Sequence, residues 1–371
     1  MSKINTKLIE LSKTLLWEKM GKALGLYSLE MEITWRCNNN CRHCCINLPS
    51  EDRQAQEKEL SFAQIKKIAD EAADLGVLWF LITGGEPLLR PDFPDIYLYL
   101  KKKGLLVSVF TNASLINHEH IKLFKSYPPR DIEISVYGVT AQTYNAVTRN
   151  PASFACFKKG LGLLLDNQIK VRLKSVAMRS NLHEMRRITN FCRKYTRDYF
   201  RFDPYLQLHF NRDSAKNRLI KSERLNADEV IFLEGYDKQR LRALKNTEKC
   251  LINPGFKELK CDHIFHCGAG KVSAILSYDG FVRPCFSLFH PDYRFNIKKY
   301  SLEHIFKKLF PIALNKRSSR EEFLSGCHKC ELINLCRWCP GQAYLESGEL
   351  DLPIKYLCQI AHAKRKLLEK R

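Results

Sequence analysis

The sequence predicts an α/β fold in two parts: a parallel barrel or partial barrel to about residue 211, then a cysteine-rich C-terminal domain. Three observations predict it. Apolar runs of strand length alternate with helix-length amphipathic stretches in six strand–helix units. The regular alternation stops after about Asn211. Beyond that point the cysteines fall in close groups with the spacing of metal ligands.

Residues 1–28 read as a helical lead-in, with Leu8, Ile9, Leu11, Leu15, Leu16 and Met20 at helical spacing. The barrel takes residues 29–211. Its first strand is Leu29 to Thr34, where apolar and acidic residues alternate; Ser61 caps a helix to about Leu75, and Val77 to Thr83 is a nearly continuous buried strand. A strand at Leu105 to Phe110, a helix from about Asn117, a strand at Ile132 to Tyr137 and helices at Ala141 to Val147 and Phe154 to Leu165 follow. Strands at Val171 to Met178 and Phe200 to His209 flank a helix that starts near Asn181. The active groups of such a barrel sit at the C-terminal ends of its strands, so chemistry is expected there. Residues 212–260 read as a polar connector with a helical stretch from Arg224 to Leu244, and residues 261–371 as the second domain.

No apolar stretch approaches the roughly 20 residues a bilayer requires, and the N-terminus lacks the apolar region of a signal peptide, which predicts a cytoplasmic protein with no membrane contact. In that setting the 15 cysteines read as metal ligands, not disulfides. The formal charge of +21 comes from scattered basic residues, a pattern expected of a solvated surface. Its sharper alternative is an acidic partner, peptide or nucleic acid.

Directly after the first strand stands Cys37-Asn38-Asn39-Asn40-Cys41-Arg42-His43-Cys44-Cys45. Three thiolates cannot complete a four-iron cluster, so such a loop leaves one iron open to a small molecule. The other reading is zinc, which would need a fourth ligand from Cys45 or His43. The loop resembles the Cys-x3-Cys-x2-Cys hallmark of the radical S-adenosylmethionine superfamily, whose fold is a partial (β/α)6, TIM-like barrel. The resemblance implies that Cys37, Cys41 and Cys44 hold a 4Fe-4S cluster whose open iron binds S-adenosylmethionine. It implies reductive cleavage to a 5'-deoxyadenosyl radical that abstracts hydrogen from substrate. His43 takes the position that is commonly aromatic in the family and packs on the cofactor. Gly84, Gly85, Glu86 and Pro87 match the motif that meets the methionine amino group. Ser135 and Arg149 match the serine and arginine that meet the ribose and carboxylate, although a solvated serine and a surface arginine are the plainer readings. Thr111-Asn112-Ala113 resembles a third motif and receives no contact. No further catalytic residue is assigned.

In the C-terminal domain, Cys261, Cys267, Cys285, Cys327, Cys330, Cys336, Cys339 and Cys358 make two sets of four. The array resembles the iron–sulfur SPASM domain, with one departure: two residues, Arg337 and Trp338, separate the last pair where three are usual. By that pattern Cys261, Cys267, Cys285 and Cys339 hold one auxiliary 4Fe-4S cluster, and Cys327, Cys330, Cys336 and Cys358 a second. Alone, the Cys327 to Cys339 run also reads as a zinc knuckle. Cys156 and Cys192 read as packing residues, Cys45 as packing or a substrate contact.

The resemblance implies oxidation or crosslinking of a peptide or protein, with an electron donor such as a flavodoxin or ferredoxin. A small molecule or RNA is the alternative substrate, and a metal-binding module without radical chemistry the alternative of another class. Phe286 stands where sulfatase-maturing relatives carry a catalytic aspartate, which argues against that reaction. The roughly 28 residues before the first strand are too few for an N-terminal leader-binding domain.

Overall fold

The computed structural model describes residues 25–196, 202–248, 252 and 262–369. The expected lead-in helix, Cys250 and Cys261 lie outside the described residues. Five full strands and a two-residue sixth form the parallel barrel sheet: β1 (Ser28–Thr34), β4 (Trp79–Gly84), β5 (Leu106–Thr111), β6 (Asp131–Ser135), β7 (Val171–Val176) and β8 (Phe202–Asp203), paired in that order. A short pair, β2 (Arg36–Cys37) with β3 (Leu48–Pro49), closes the loop above β1.

Strand alternation sorts the side chains between two environments. Leu29, Met31 and Ile33 of β1, Phe80 and Ile82 of β4, Val107 and Val109 of β5, Ile132 and Ile134 of β6 and Val171 and Leu173 of β7 join one buried core. The alternating positions, Glu30, Glu32, Asp131, Glu133, Arg172 and Lys174, therefore share the opposite, lumen face. There Glu133 pairs with Arg172 at 3.5 Å and also with Lys174, and Arg172 reaches Asp131 at 3.9 Å.

The helices begin where the sequence signals them. Ser61 and Gln64 form a reciprocal cap on Phe62–Asp74, and Asn117 and His120 do the same for His118–Ser126. Two expectations are corrected. Of the strand foreseen from Phe200 to His209, the described residues pair only at Phe202–Asp203, because Asp203 turns its side chain back to accept from the amide of Tyr205. The helical stretch expected from Arg224 to Leu244 is two helices, Ala227–Tyr236 and Lys238–Asn246, begun by the caps Asn226 and Asp237, and another helix, Ser214–Glu223, precedes them. A helix not foreseen, Phe93–Lys102, covers the sheet between β4 and β5 and buries Phe93, Ile96, Tyr97 and Leu100.

The second domain does not stand apart from the barrel. Its hairpin, β9 (Ser273–Leu276) and β10 (Phe281–Arg283), extends the same sheet, with β9 parallel to β1 and β11 (Phe295–Asn296) at the edge. Among the described residues no helix is long and apolar enough to cross a membrane.

Candidate functional site: a thiol loop above the barrel lumen

β1 delivers the chain into the cysteine loop, and asparagines pin it there. The Cys37 sulfur accepts from the Asn39 amide at 3.4 Å and from the Asn112 side chain at 3.9 Å. Asn112 also donates to Asn38 at 2.9 Å, and Asn150 donates to the Asn38 carbonyl and to Asn39 at 2.9 and 3.0 Å. The amides of Asn40 and Arg42 bond Thr148 and Val147 at the end of the helix Ala141–Thr148. A loop held from β5 and from this helix needs no disulfide to keep its shape.

Cys37, Cys41 and Cys44 converge. Burial and one another's charge raise the Cys41 thiol well above its ordinary range, and burial with Glu86 pushes Cys37 up to about 12. Thiols so costly to ionise in isolation suit a centre whose positive charge they would offset. Cys45, like Cys44, packs against an apolar cluster that includes Trp35 and Phe210, and its carbonyl accepts from Phe210. His43 stacks obliquely on Tyr137, with ring centroids 5.0 Å apart. Burial lowers its imidazole to about 4, so it is neutral near pH 7, and its Nδ1 is buried without a hydrogen-bond partner. An orphaned donor or acceptor beside this three-thiol loop fits a polar group bound there.

Gly84 and Gly85 make a close approach, but to the chain itself. A Cβ on Gly85 would lie 2.4 Å from the Arg36 carbonyl oxygen and 2.5 Å from that of Trp35; one on Gly84, where φ is +140°, would lie 2.0 Å from the Thr34 oxygen. The turn thereby bonds Gly85 N to Thr34 O at 2.8 Å and Glu86 N to Arg36 O at 2.9 Å, locking it under the thiol loop. Gly85→Ala is expected to destabilise the protein by about 1–3 kcal/mol through overpacking. The check is urea unfolding beside iron content, both of which should fall; an unchanged midpoint would refute the packing role.

Glu86 is fully buried, and its carboxylate accepts from Thr111 Oγ1 and Asn112 N, both at 2.7 Å, and from Leu88 N at 3.2 Å. Burial lifts it to about 7 against the pull of these donors. Pro87 starts the short turn that supplies the Leu88 amide. Ser135 ends β6, its carbonyl accepting from Tyr144 at 3.2 Å, and lines a cavity of about 1090 Å³ with Tyr137, Arg172 and Lys174. Arg149 is not brought in with the others: it is exposed and left-handed at φ +53°, while Val147, Thr148 and Asn150 around it touch the loop. Asn112 and Asn150 were missed as site residues. Their only local signal was position, one within a strand-end motif and one just after Arg149.

The remaining cysteines gather in two places. Burial and the neighbouring Cys267 raise the Cys285 thiol, burial with Cys285 and Cys267 pushes Cys339 up to about 12, and Cys339 caps the helix Pro340–Ser347, accepting from Gln342 N at 3.3 Å. Cys327, Cys330, Cys336 and Cys358 surround a separate hollow of about 440 Å³, where burial and neighbouring thiols push Cys327 up to about 11, Cys336 up to about 12 and Cys358 upward. Arg337, left-handed at φ +59°, turns the chain between the two groups. Trp338 lines the hollows on both sides and donates to the Leu352 carbonyl at 2.9 Å. Among the described residues no three His, Cys, Asp or Glu side chains close on a single ion. Ligands at the corners of an iron–sulfur cube stand wider apart than those of one zinc ion.

Residues 31–192 match the radical SAM superfamily. AlbA, the antilisterial bacteriocin subtilosin biosynthesis protein of Bacillus subtilis (strain 168), is 29% identical over 318 residues, 83% of this chain and 66% of that protein. The chain thus spans just under two thirds of that relative's length. An AdoMet-dependent heme synthase of Nitratidesulfovibrio vulgaris is 24% identical over 334 residues, 86% of this chain and 88% of that one. In fold, the chain is similar to Streptococcus suis SuiB bound to S-adenosylmethionine, with a TM-score of 0.65 and 16% identity over 92% of this chain and 80% of SuiB. It is likewise similar to anSMEcpe with bound AdoMet and Cp18Cys peptide, with a TM-score of 0.61 and 19% identity over 93% of this chain and 96% of that one.

Proposed function

The chain belongs to the radical S-adenosylmethionine superfamily, and from that premise we propose that it oxidises or crosslinks a peptide or protein by way of a 5'-deoxyadenosyl radical. The carrying observation is the convergence of Cys37, Cys41 and Cys44 above a lumen, with two further thiol groups in the annexed C-terminal domain. These three residues would hold the 4Fe-4S cluster, which when bound supplies the electron that cleaves the cofactor. Glu86, anchored from β5, accepts from an ammonium group and fixes its position. Neutral His43 offers a face and a free ring nitrogen to the cofactor. Cys261, Cys267, Cys285 and Cys339 would hold one auxiliary cluster, and Cys327, Cys330, Cys336 and Cys358 the other.

A peptide substrate is supported by AlbA's part in bacteriocin biosynthesis and by the peptide-bound structures of SuiB and anSMEcpe. A flavodoxin or ferredoxin in the cytoplasm would supply the electron. A small-molecule substrate is the second reading, favoured by the heme synthase match, which extends over 88% of that enzyme. The test is anaerobic iron and sulfide analysis of reconstituted protein, with dithionite-driven cleavage of S-adenosylmethionine. About twelve irons per chain and 5'-deoxyadenosine are expected. About four irons would remove the auxiliary clusters, and zinc without cleavage would overturn the whole reading.

A further inference from the structure

We infer that the buried pair Arg283–Glu32 sets the reduction potential of the auxiliary cluster at Cys267, Cys285 and Cys339, an inference that rests on the proposed cluster assignment. Arg283 lies on β10 and Glu32 on β1, with β9 between them, and their side chains meet at 2.9 Å while 0% and 1% exposed. A second guanidinium nitrogen donates at 2.9 Å to the carbonyl of Phe286, the residue after Cys285. Trp35, two residues before Cys37, donates to the same Glu32 oxygen at 2.9 Å. A buried strut thus runs from the entrance of the thiol loop to the auxiliary turn.

The pair is desolvated and packed against aromatic rings, with Glu30 and Arg294 the other charges that act on it. The guanidinium stands over the rings of Phe210 and Phe289, 5.3 and 4.9 Å from their centroids. Glu32 Oε1 and Arg283 Nε are buried and have no hydrogen-bond partner. A buried ion pair adds little stability over an apolar replacement, so its distinctive effect is the field it imposes. A nearby cation favours the reduced, more negative state of a cluster and raises its potential; an anion lowers it.

The two charges make the inference falsifiable by sign. Anaerobically reconstituted wild type, Arg283→Met and Glu32→Gln are titrated with redox mediators, and the auxiliary signals are followed by electron paramagnetic resonance. Arg283→Met is expected to lower the potential. Glu32→Gln, which leaves Arg283 uncompensated, is expected to raise it at unchanged iron content, and Arg283→Lys to stay near wild type. Shifts of the same sign, no shift, or loss of iron in both charge-removing variants would show a merely structural role and overturn the inference. Wild type with about four irons sinks the cluster assignment and this inference together, whereas about twelve irons without opposed shifts sinks this inference alone.

Discussion

Replacing Cys37, Cys41 and Cys44 together by alanine is expected to abolish 5'-deoxyadenosine formation and to remove about four of about twelve irons. The two losses belong together, because these thiols converge on one site while the auxiliary groups lie elsewhere in the chain. The fold should survive: the loop's hold on Thr148, Val147 and Asn150 runs through backbone and asparagine groups, not through sulfur. Circular dichroism and the retained iron together distinguish a lost site from a lost protein. Cleavage by the triple variant at the wild-type rate would place the radical chemistry elsewhere.

Glu86→Gln is expected to lower cofactor cleavage about tenfold to a hundredfold, the weight of one charge-assisted hydrogen bond to an ammonium group. The carboxamide oxygen can still accept from Thr111 and Leu88, while the NH2 that replaces the second oxygen gives up the bond from the Asn112 amide, so the variant removes the charge and one of three anchoring bonds. The pH dependence gives a second reading. Burial raises this carboxyl from 4.5 to about 7, so the folded chain holds its proton where the unfolded chain has lost it. Its contribution to stability is therefore complete below pH 4.5 and is lost as the pH rises to about 7. The metal-free wild type should thus lose more thermal stability between pH 5 and pH 8 than Glu86→Gln does. Equal losses in the two proteins would show that Glu86 is not the titrating group.

The sequence by itself determined what depends on near neighbours. Spacing alone marked Cys37, Cys41 and Cys44 as a three-thiol loop, since three positions a few residues apart can converge without help from the rest of the fold. Ser61 and Asn117 fixed helix starts because a cap bonds the amide three residues on. The alternation of Leu29, Met31 and Ile33 with Glu30 and Glu32 already divided β1 between a core face and a polar face. Gly84 and Gly85 were legible as a tight approach, although not that the approach is to the backbone of Thr34 to Arg36.

Tertiary structure alone decided what joins distant segments. It carried the β9–β10 hairpin onto β1, making the second domain part of the barrel sheet. It brought Asn112 and Asn150 to the thiol loop and left Arg149 at the surface. It set Arg283 against Glu32, 251 positions away in the chain. The physical reason is one of range: caps, alternation and cysteine spacing act within a few residues, whereas burying a guanidinium and a carboxylate together requires the sheet to exist first.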